Sequence, residues 1–344
     1  MMGSHLDSQP YGGRFDGTAG VLAGIEAVHT MTEQGILPQV PVHVVAFSDE
    51  EGWRFQKGLF GSRGLVGRLE SGELERTDKH GITRAQALKD FGCNPERSQK
   101  SVYPPGKIGA YLELHIEQGP VLESLHQPLG IVTGIAGPSW LTVTLHGFAG
   151  HAGSVPMGLR QDALIGASET ILGINRIAKS RAPAPTVATV GSLHVFPDTP
   201  NSIPEQVEFT IDLRDIDALR RNECQKEIME FIAQVCAKYN LTYTIRQDML
   251  EEPKYCTDWI MHILRESAKE MDLSLPELMS GPFHDAVIIS SIADFAMIFV
   301  RCRNGISHNP AEFAASADLA LGADLLYRGA LRTINHISQL IPHS

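Results

Sequence analysis

Cysteine is scarce in this 344-residue chain: only Cys93, Cys224, Cys236, Cys256 and Cys302 occur, an odd number, widely scattered and with no CxxC pair. That pattern argues against a disulfide framework and against a thiolate zinc site. No apolar run reaches the length needed to cross a membrane, so no transmembrane helix is expected. The opening MMGSHLDSQP lacks the basic and apolar regions of a signal peptide. These absences leave a reducing, cytoplasmic setting as the expectation. Positive charge is also in deficit. A net charge of -11 removes the electrostatic case for a nucleic-acid or anionic-membrane partner. There are no internal repeats and no low-complexity segments. Hydrophobic residues at 43% and charged residues at 20% are ordinary for a soluble globular chain, so composition says no more about function. The length suffices for two domains with sizeable cores.

What is present alternates between two periods. Residues 17–31 carry apolar i, i+3, i+4 spacing and predict a helix. Residues 42–47 are β-branched and short, the pattern of a buried strand, and a polar turn follows at 48–52. A helix is expected at 84–91 within a charged surface excursion, and a strand at 111–116. Helix alternating with apolar strand implies an α/β sheet with mostly parallel strands. From about residue 137 the order becomes strand (140–146), helix (161–179), strands (186–195 and 206–213, with a turn at 197–204), helix (218–239) and strand (241–246). That is a βαββαβ unit, the split ferredoxin-like arrangement, set into the first domain. Helix 257–271, strand 297–300 and helix 317–337 close the chain.

Five places put metal-ligand residue types at the ends of these strands or in the turns beside them. They are His5-Leu6-Asp7, Asp16 in GGRFDG, Glu50-Glu51 in SDEEGWRF, His115 in ELHIEQGP and His284 in SGPFHDA. Strand ends are where open α/β sheets place their sites. Amide and ureide bonds are poor electrophiles, and neutral water is a poor nucleophile. Two metal ions about 3.5–4 Å apart can share a hydroxide and polarise the carbonyl. Such a pair needs a bridging carboxylate and further N/O ligands, while a separate carboxylate carries the proton. Each piece alone has an ordinary reading: a surface or core histidine, a solvated acidic turn, or Asp16 as the N-cap of helix 17–31. Their joint occurrence in this order is what points to a site.

The segments GSHLDSQPYGGRFDG, FSDEEGWRF, ELHIEQGP, GHAGSVPM and SGPFHDA resemble the successive motifs of the two-zinc exopeptidase and aminoacylase family. Within it they are similar to the branch acting on carbamoyl and ureido compounds. GLFGSRGLVG, GIAGPSWLTVTL and FVRCRNGISHNPAEF look like stretches of N-carbamoyl-L-amino acid hydrolases. The likeness runs from His5 to the last helix. It implies an α/β fold with a mixed-sheet two-metal catalytic domain, residues 1–136 and 249–344, and an inserted βαββαβ ferredoxin-like dimerisation (lid) domain, residues 137–248. It also implies a homodimer, a small-molecule substrate and two divalent ions per subunit, zinc, manganese or cobalt. The implied reaction is hydrolysis of the carbamoyl C–N bond of N-carbamoyl-L-amino acids.

By the same resemblance Asp16 bridges the metals, His5 and His115 complete one site, and Glu51 and His284 the other. Glu50 is the general base, Asp7 orients His5, and His151 in GHAG stabilises the oxyanion. Gln118, Asn201 and Arg214 contact substrate, although Arg214 read alone is a surface ion pair with Asp212 or Asp215. His308 lies in a motif of this branch without an assigned role. Two departures stand out. Relatives carry a helical segment and a strand before GSHLD, so the strand that positions His5 is expected to be absent and its end frayed. Relatives also commonly have a small residue at Phe283, whose bulk is expected to narrow the approach to His284. Three alternatives stay open: allantoate amidohydrolase, β-ureidopropionase, and a metal-poor binding protein. Trp140, where allantoate enzymes tend to carry arginine, favours the carbamoyl substrate.

Overall fold

The computed structural model describes residues 1–340, and the chain divides into two compact units: Met1–Ile135 with the segment from Tyr255 onward, and Ala136–Lys254. The chain runs β1 (Met2–His5), α1 (Thr18–Glu33), β2 (Val44–Phe47), α2 (Phe60–Leu65), α3 (Arg84–Asp90), β3 (Ala110–Ile116), α4 (Val121–Ser124) and β4 (Leu129–Ile135). The second unit follows as β5 (Gly137–His146), β6 (Gly150–His151), α5 (Ala163–Lys179), β7 (Val187–Thr189), β8 (Leu193–Phe196), β9 (Ser202–Ile203), β10 (Gln206–Asp215), α6 (Ala218–Lys238) and β11 (Thr242–Leu250). It ends in β12 (Lys254–Tyr255), α7 (Asp258–Glu270), β13 (Glu277–Ser280), α8 (Asp285–Ile289), β14 (Asp294–Val300) and α9 (Ser316–Leu340).

The first unit is built on a seven-stranded sheet with the path β12-β4-β14-β3-β1-β2 and β13 also on β4. The pairs β1–β2, β1–β3 and β3–β14 are parallel and β14–β4 is antiparallel, so the sheet is mixed. All of β3 is buried, and its sequence AYLELHI shows no clean alternation because both faces are covered. Leu114, Ile116, Ile298 and Phe299 are core side chains here. Each such residue contributes about 1.5–3 kcal/mol by leaving water. β4, which the residue pattern did not reveal, is a run of this kind; β13, also unread, has only four residues, with Glu277 exposed.

The expectation of an absent strand and a frayed end at His5 is overturned. Met2–His5 is itself a strand, buried at all four residues and hydrogen-bonded between β2 and β3. The Leu112 N–H donates to the Met1 carbonyl at 3.0 Å, and the Tyr111 hydroxyl donates to the Gly3 carbonyl at 2.9 Å. MGSH carries no β-branched residue, so its strand character comes from two flanking ladders rather than from propensity.

The second unit holds an antiparallel sheet, β11-β5-β10-β7 with β8 also on β10. β10 alternates half-buried and buried residues along its whole length, the period of a sheet with one face in a core. That core joins Val143, Leu145, Phe209 and Ile211 to Ile174 of α5 and Ile228 and Ile232 of α6. The single strand expected over 186–195 is two, β7 and β8, each pairing separately with β10. Gly191 lies in the break, where it has no side chain to pack. The strand expected at 241–246 runs on to Leu250 past an irregularity between Gln247 and Met249.

Candidate metal centre

The site in the first unit forms at the C-terminal ends of parallel strands. His5 ends β1, the Ser48–Gly52 turn follows β2, and His115 lies near the end of β3. Asp16 comes from the loop before α1. It is not the cap of that helix: Gly17 is, with no side-chain cap bond. Gly17 has φ +64, and a Cβ there would meet the His5 ring at 2.5 Å, so only glycine lets the helix start against the imidazole.

His5 and His115 are presented alike. Nδ1 of His5 lies 2.9 Å from the Asp7 carbonyl oxygen, and Nδ1 of His115 lies 2.9 Å from the Ile116 carbonyl oxygen. A carbonyl only accepts, so both Nδ1 atoms carry hydrogen, and each neutral ring offers a lone pair at Nε2. The Gly17 N–H donating to His115 Nε2 at 3.2 Å agrees with that tautomer. Yet the two Nε2 atoms face Asp16 Oδ1, another acceptor, at 3.3 and 3.1 Å. Acceptors converging this closely require positive charge between them, from protons or from a metal ion. The titration behaviour says the same. Burial opposes charge on Asp16, but bonds from His115, His308 and His5 hold its carboxyl far below the usual range. Burial likewise opposes protonation of His5 and His115, yet Asp16 above all pushes both up.

The other oxygen of Asp16 faces a second group. Oδ2 accepts from Gln118 Nε2 at 2.8 Å, and lies 3.1 Å from the Ser307 hydroxyl oxygen and 3.2 Å from His308 Nε2. Glu51 completes this group: its Oε1 is 3.5 Å from His308 Nε2 and buried without a hydrogen-bond partner, while Oε2 accepts from Gln9 Nε2 at 2.8 Å. Asp49, Gln118 and His308 all have left-handed backbones, with φ of 56°, 56° and 53°. Such local strain in non-glycine residues concentrates at functional sites.

One expected placement changes. His284 does not stand with Glu51. Its Nε2 is 2.8 Å from the Ser280 hydroxyl, and its ring packs at 4.4 Å on His115 and 6.0 Å on Phe299. Burial and the neighbouring His115 push its pKa well below the ordinary 6.5. His308 occupies the place expected of it. Phe283 packs half-buried against the core. The Asp7 backbone carbonyl orients His5, while its carboxylate accepts from the N–H groups of Glu50 and Glu51, each at 3.1 Å.

The Glu50 carboxylate is nearly buried, with Oε2 3.9 Å from His5 Nε2. Burial raises its pKa well above 4.5, against the pull of His5. Beneath the site Glu113 accepts from the Ser4 hydroxyl at 2.6 Å and the Ala286 N–H at 3.0 Å. Burial and Glu113 push the Asp285 carboxyl up to about 8.

Sequence reading missed Glu312. Its Oε1 accepts from the N–H groups of Phe15 and Asp16 at 2.9 and 3.1 Å, and its Oε2 from the Ser307 hydroxyl at 2.9 Å. A Cβ at Gly13 would fall 1.9 Å from that Oε1, which explains the second glycine of GGRFDG. The available signal was the position of GISHNPAEF just beyond the strand recognised at 297–300.

In the second unit, His151 on β6 pairs with Ser202 on β9, beside Asn201, whose carbonyl accepts from the Ala152 N–H at 2.9 Å. His151 is exposed, and its Nδ1 accepts from the Gly153 N–H at 3.0 Å, so in the neutral ring Nε2 carries the proton. Arg214 makes the ion pair of its ordinary reading, a fork onto Asp212 at 2.9 and 2.8 Å. Trp140 lies opposite Asp212 in the β5–β10 register and shares a sheet face with Arg214.

Residues 1–332 match the Peptidase family M20/M25/M40. The chain is 46% identical to an N-carbamoyl-L-amino-acid amidohydrolase of Pseudomonas sp. (strain NS671), over 97% of this chain and 81% of that one. It is 37% identical to an allantoate deiminase of Arabidopsis thaliana, over 93% of this chain and 66% of that one. Among solved structures, a hydantoinase/carbamoylase family amidase from Burkholderia ambifaria superposes with a TM-score of 0.90 at 34% identity, covering 96% of this chain and 79% of that one. With this fold, and with an aspartate facing two groups of imidazole and carboxylate donors, the chain belongs to the Peptidase family M20/M25/M40.

Proposed function

We propose that this protein hydrolyses N-carbamoyl-L-amino acids. One ureide and one water become L-amino acid, CO2 and ammonia. The observation that carries the reading is Asp16, whose two oxygens face separate donor groups: His5 with His115, and Glu51 with His308. This arrangement fits two divalent ions sharing one carboxylate. The facing lone pairs on Asp16 and the imidazoles, and the orphaned Glu51 oxygen, are what cations would satisfy. Imidazole with carboxylate suits zinc, manganese or cobalt. When bound, such ions polarise a carbonyl and make water acidic.

The remaining roles fall to this chain's own groups. Glu50, outside both donor groups, accepts the proton of the attacking water and passes it to the leaving nitrogen. Gln118 holds Asp16, and its position at the cluster suits a substrate contact. His151 Nε2–H supplies a donor for the oxyanion, with Asn201 beside it. Arg214 with Trp140 forms a face suited to an amino acid's carboxylate and apolar side chain. Greater identity to the Pseudomonas carbamoyl hydrolase than to the Arabidopsis allantoate deiminase favours the first substrate class. The second class remains the alternative. Chelation should abolish ammonia release from a panel of carbamoyl amino acids, and zinc, manganese or cobalt should restore it. Full activity in a metal-free sample, or turnover of allantoate alone, would refute the respective half of the proposal.

We further infer a homodimer in which His151 serves the partner's site, and a cytoplasmic setting. All five cysteines are free, and no helix among the described residues is long and apolar enough to cross a membrane. The dimer has a direct test. His151→Ala and Glu50→Gln chains, each inactive alone, should regain partial activity when mixed and allowed to exchange subunits. Proven heterodimers without recovery would place His151 in its own subunit's site.

A further inference from the structure

The excursion between α2 and β3 carries a buried cluster of charge that neither donor group uses. Arg84, at the first position of α3, is 1% exposed and Glu73 2%. The Arg84 guanidinium donates to Asp49 Oδ2 at 2.7 Å and to the Lys57 carbonyl at 3.1 Å, and grips Glu73 Oε1. Glu73 also accepts two bonds from Arg63, each 2.8 Å. Arg63 in turn donates from Nε to the Gly58 carbonyl at 3.1 Å. The Arg84 guanidinium lies 4.2 Å from the Phe60 ring centroid and 4.9 Å from that of Phe55. Burial opposes charge on Glu73, but the two guanidiniums hold its carboxyl down at about 2.

Buried charges are unfavourable unless fully paired, so such a cluster calls for a reason. What it touches supplies one. Asp49 precedes Glu50 and Glu51 directly and holds φ 56, a left-handed backbone that an aspartate adopts at some cost. The segment carrying the cluster is zipped to this turn: Leu59 N–H donates to the Glu50 carbonyl at 2.8 Å, Phe60 N–H to Asp49 at 3.1 Å, and Gly61 N–H to Ser48 at 3.0 Å. The Arg84–Asp49 bond is the side-chain counterpart of that zipper.

We propose that Arg84 is a positioning residue for the reaction. Anchored by Glu73 and Arg63 and stacked on Phe60, it fixes the Asp49 carboxylate and thereby the directions in which Glu50 and Glu51 leave the turn. The assignment rests on the roles given to those two glutamates above. Asp49→Asn, Arg84→Met, Arg84→Lys and the Asp49→Asn/Arg84→Met double variant test it in the full chain loaded with cobalt. Each of the first two should lower kcat about 10- to 100-fold, the scale of a misplaced reacting group, with KM held within about twofold. Each should also shift the visible cobalt absorption, because Glu51 shares the turn. The double variant should be no worse than Arg84→Met, since both residues act through one contact. Arg84→Lys, which keeps the charge but not the fork, should recover part of the loss. Asp49→Asn leaves the Arg84–Glu73–Arg63 cluster intact, so folding is not at stake there. Unchanged kcat and unchanged cobalt spectrum in that variant overturn the assignment, as do fully additive losses. A wild-type chain that releases no ammonia from any ureide overturns the functional reading instead, and the cobalt spectra then still decide the role of Arg84.

Discussion

Glu50→Gln should cut kcat by at least about 100-fold while both metal equivalents stay bound, the scale expected when a positioned proton carrier is removed. Glutamine matches glutamate in size, so the Asp7 bonds to the Glu50 and Glu51 N–H groups can persist and the turn keeps its shape. What disappears is a basic oxygen 3.9 Å from His5 Nε2, able to take a proton from water and return it to the departing nitrogen. KM should change little, because the ground-state substrate makes no use of that proton. The measurement is steady-state ammonia release beside elemental analysis of the same sample. Near-normal kcat would move the base to another residue, and loss of metal would make Glu50 a ligand.

His308→Ala should lose one metal equivalent and most of its turnover, more than about 100-fold, whereas His284→Ala should keep both equivalents. His308 Nε2 reaches Asp16 Oδ2 and Glu51 Oε1, and removing it leaves those two oxygens with no imidazole between them. His284 Nε2 is engaged with the Ser280 hydroxyl behind His115. The Ser280 hydroxyl keeps its bond to the Pro282 carbonyl, so the loss should appear as instability of about 2–5 kcal/mol from the cavity a buried ring leaves, read as a lower Tm with metal content intact. The two variants separate the assignments cleanly. If His284→Ala strips a metal and His308→Ala keeps both, the ligand set inferred from motif order is restored and the geometry-based one fails.

The reading of residues reached most of the long elements for a physical reason. α1, α5, α6, α7 and α9 each bury one face and expose the other, so their period is written in the sequence. β10 alternates for the same reason. Strands covered on both faces leave no such trace, and β4 went unread, while β13 is only four residues long and too short to show a period. β1 was the extreme case: four residues without β-branching become a central strand because β2 and β3 supply ladders on both sides.

At the site, local chemistry picked out His5, Asp16, Glu50, Glu51 and His115, because glycine turns and acidic or imidazole residues beside short apolar runs are visible in one dimension. The choice between His284 and His308 was not. Both follow strands, and both lie in motif-like segments. Only packing separates them, by burying one ring against His115 and Phe299 and carrying the other, on a left-handed turn secured through Ser307 and Glu312, to the free side of Asp16. Glu312 and Arg84 were hidden for the same reason. Each acts on residues far along the chain, Glu312 on Asp16 and Arg84 on Asp49, and contacts at that separation exist only once the chain has folded.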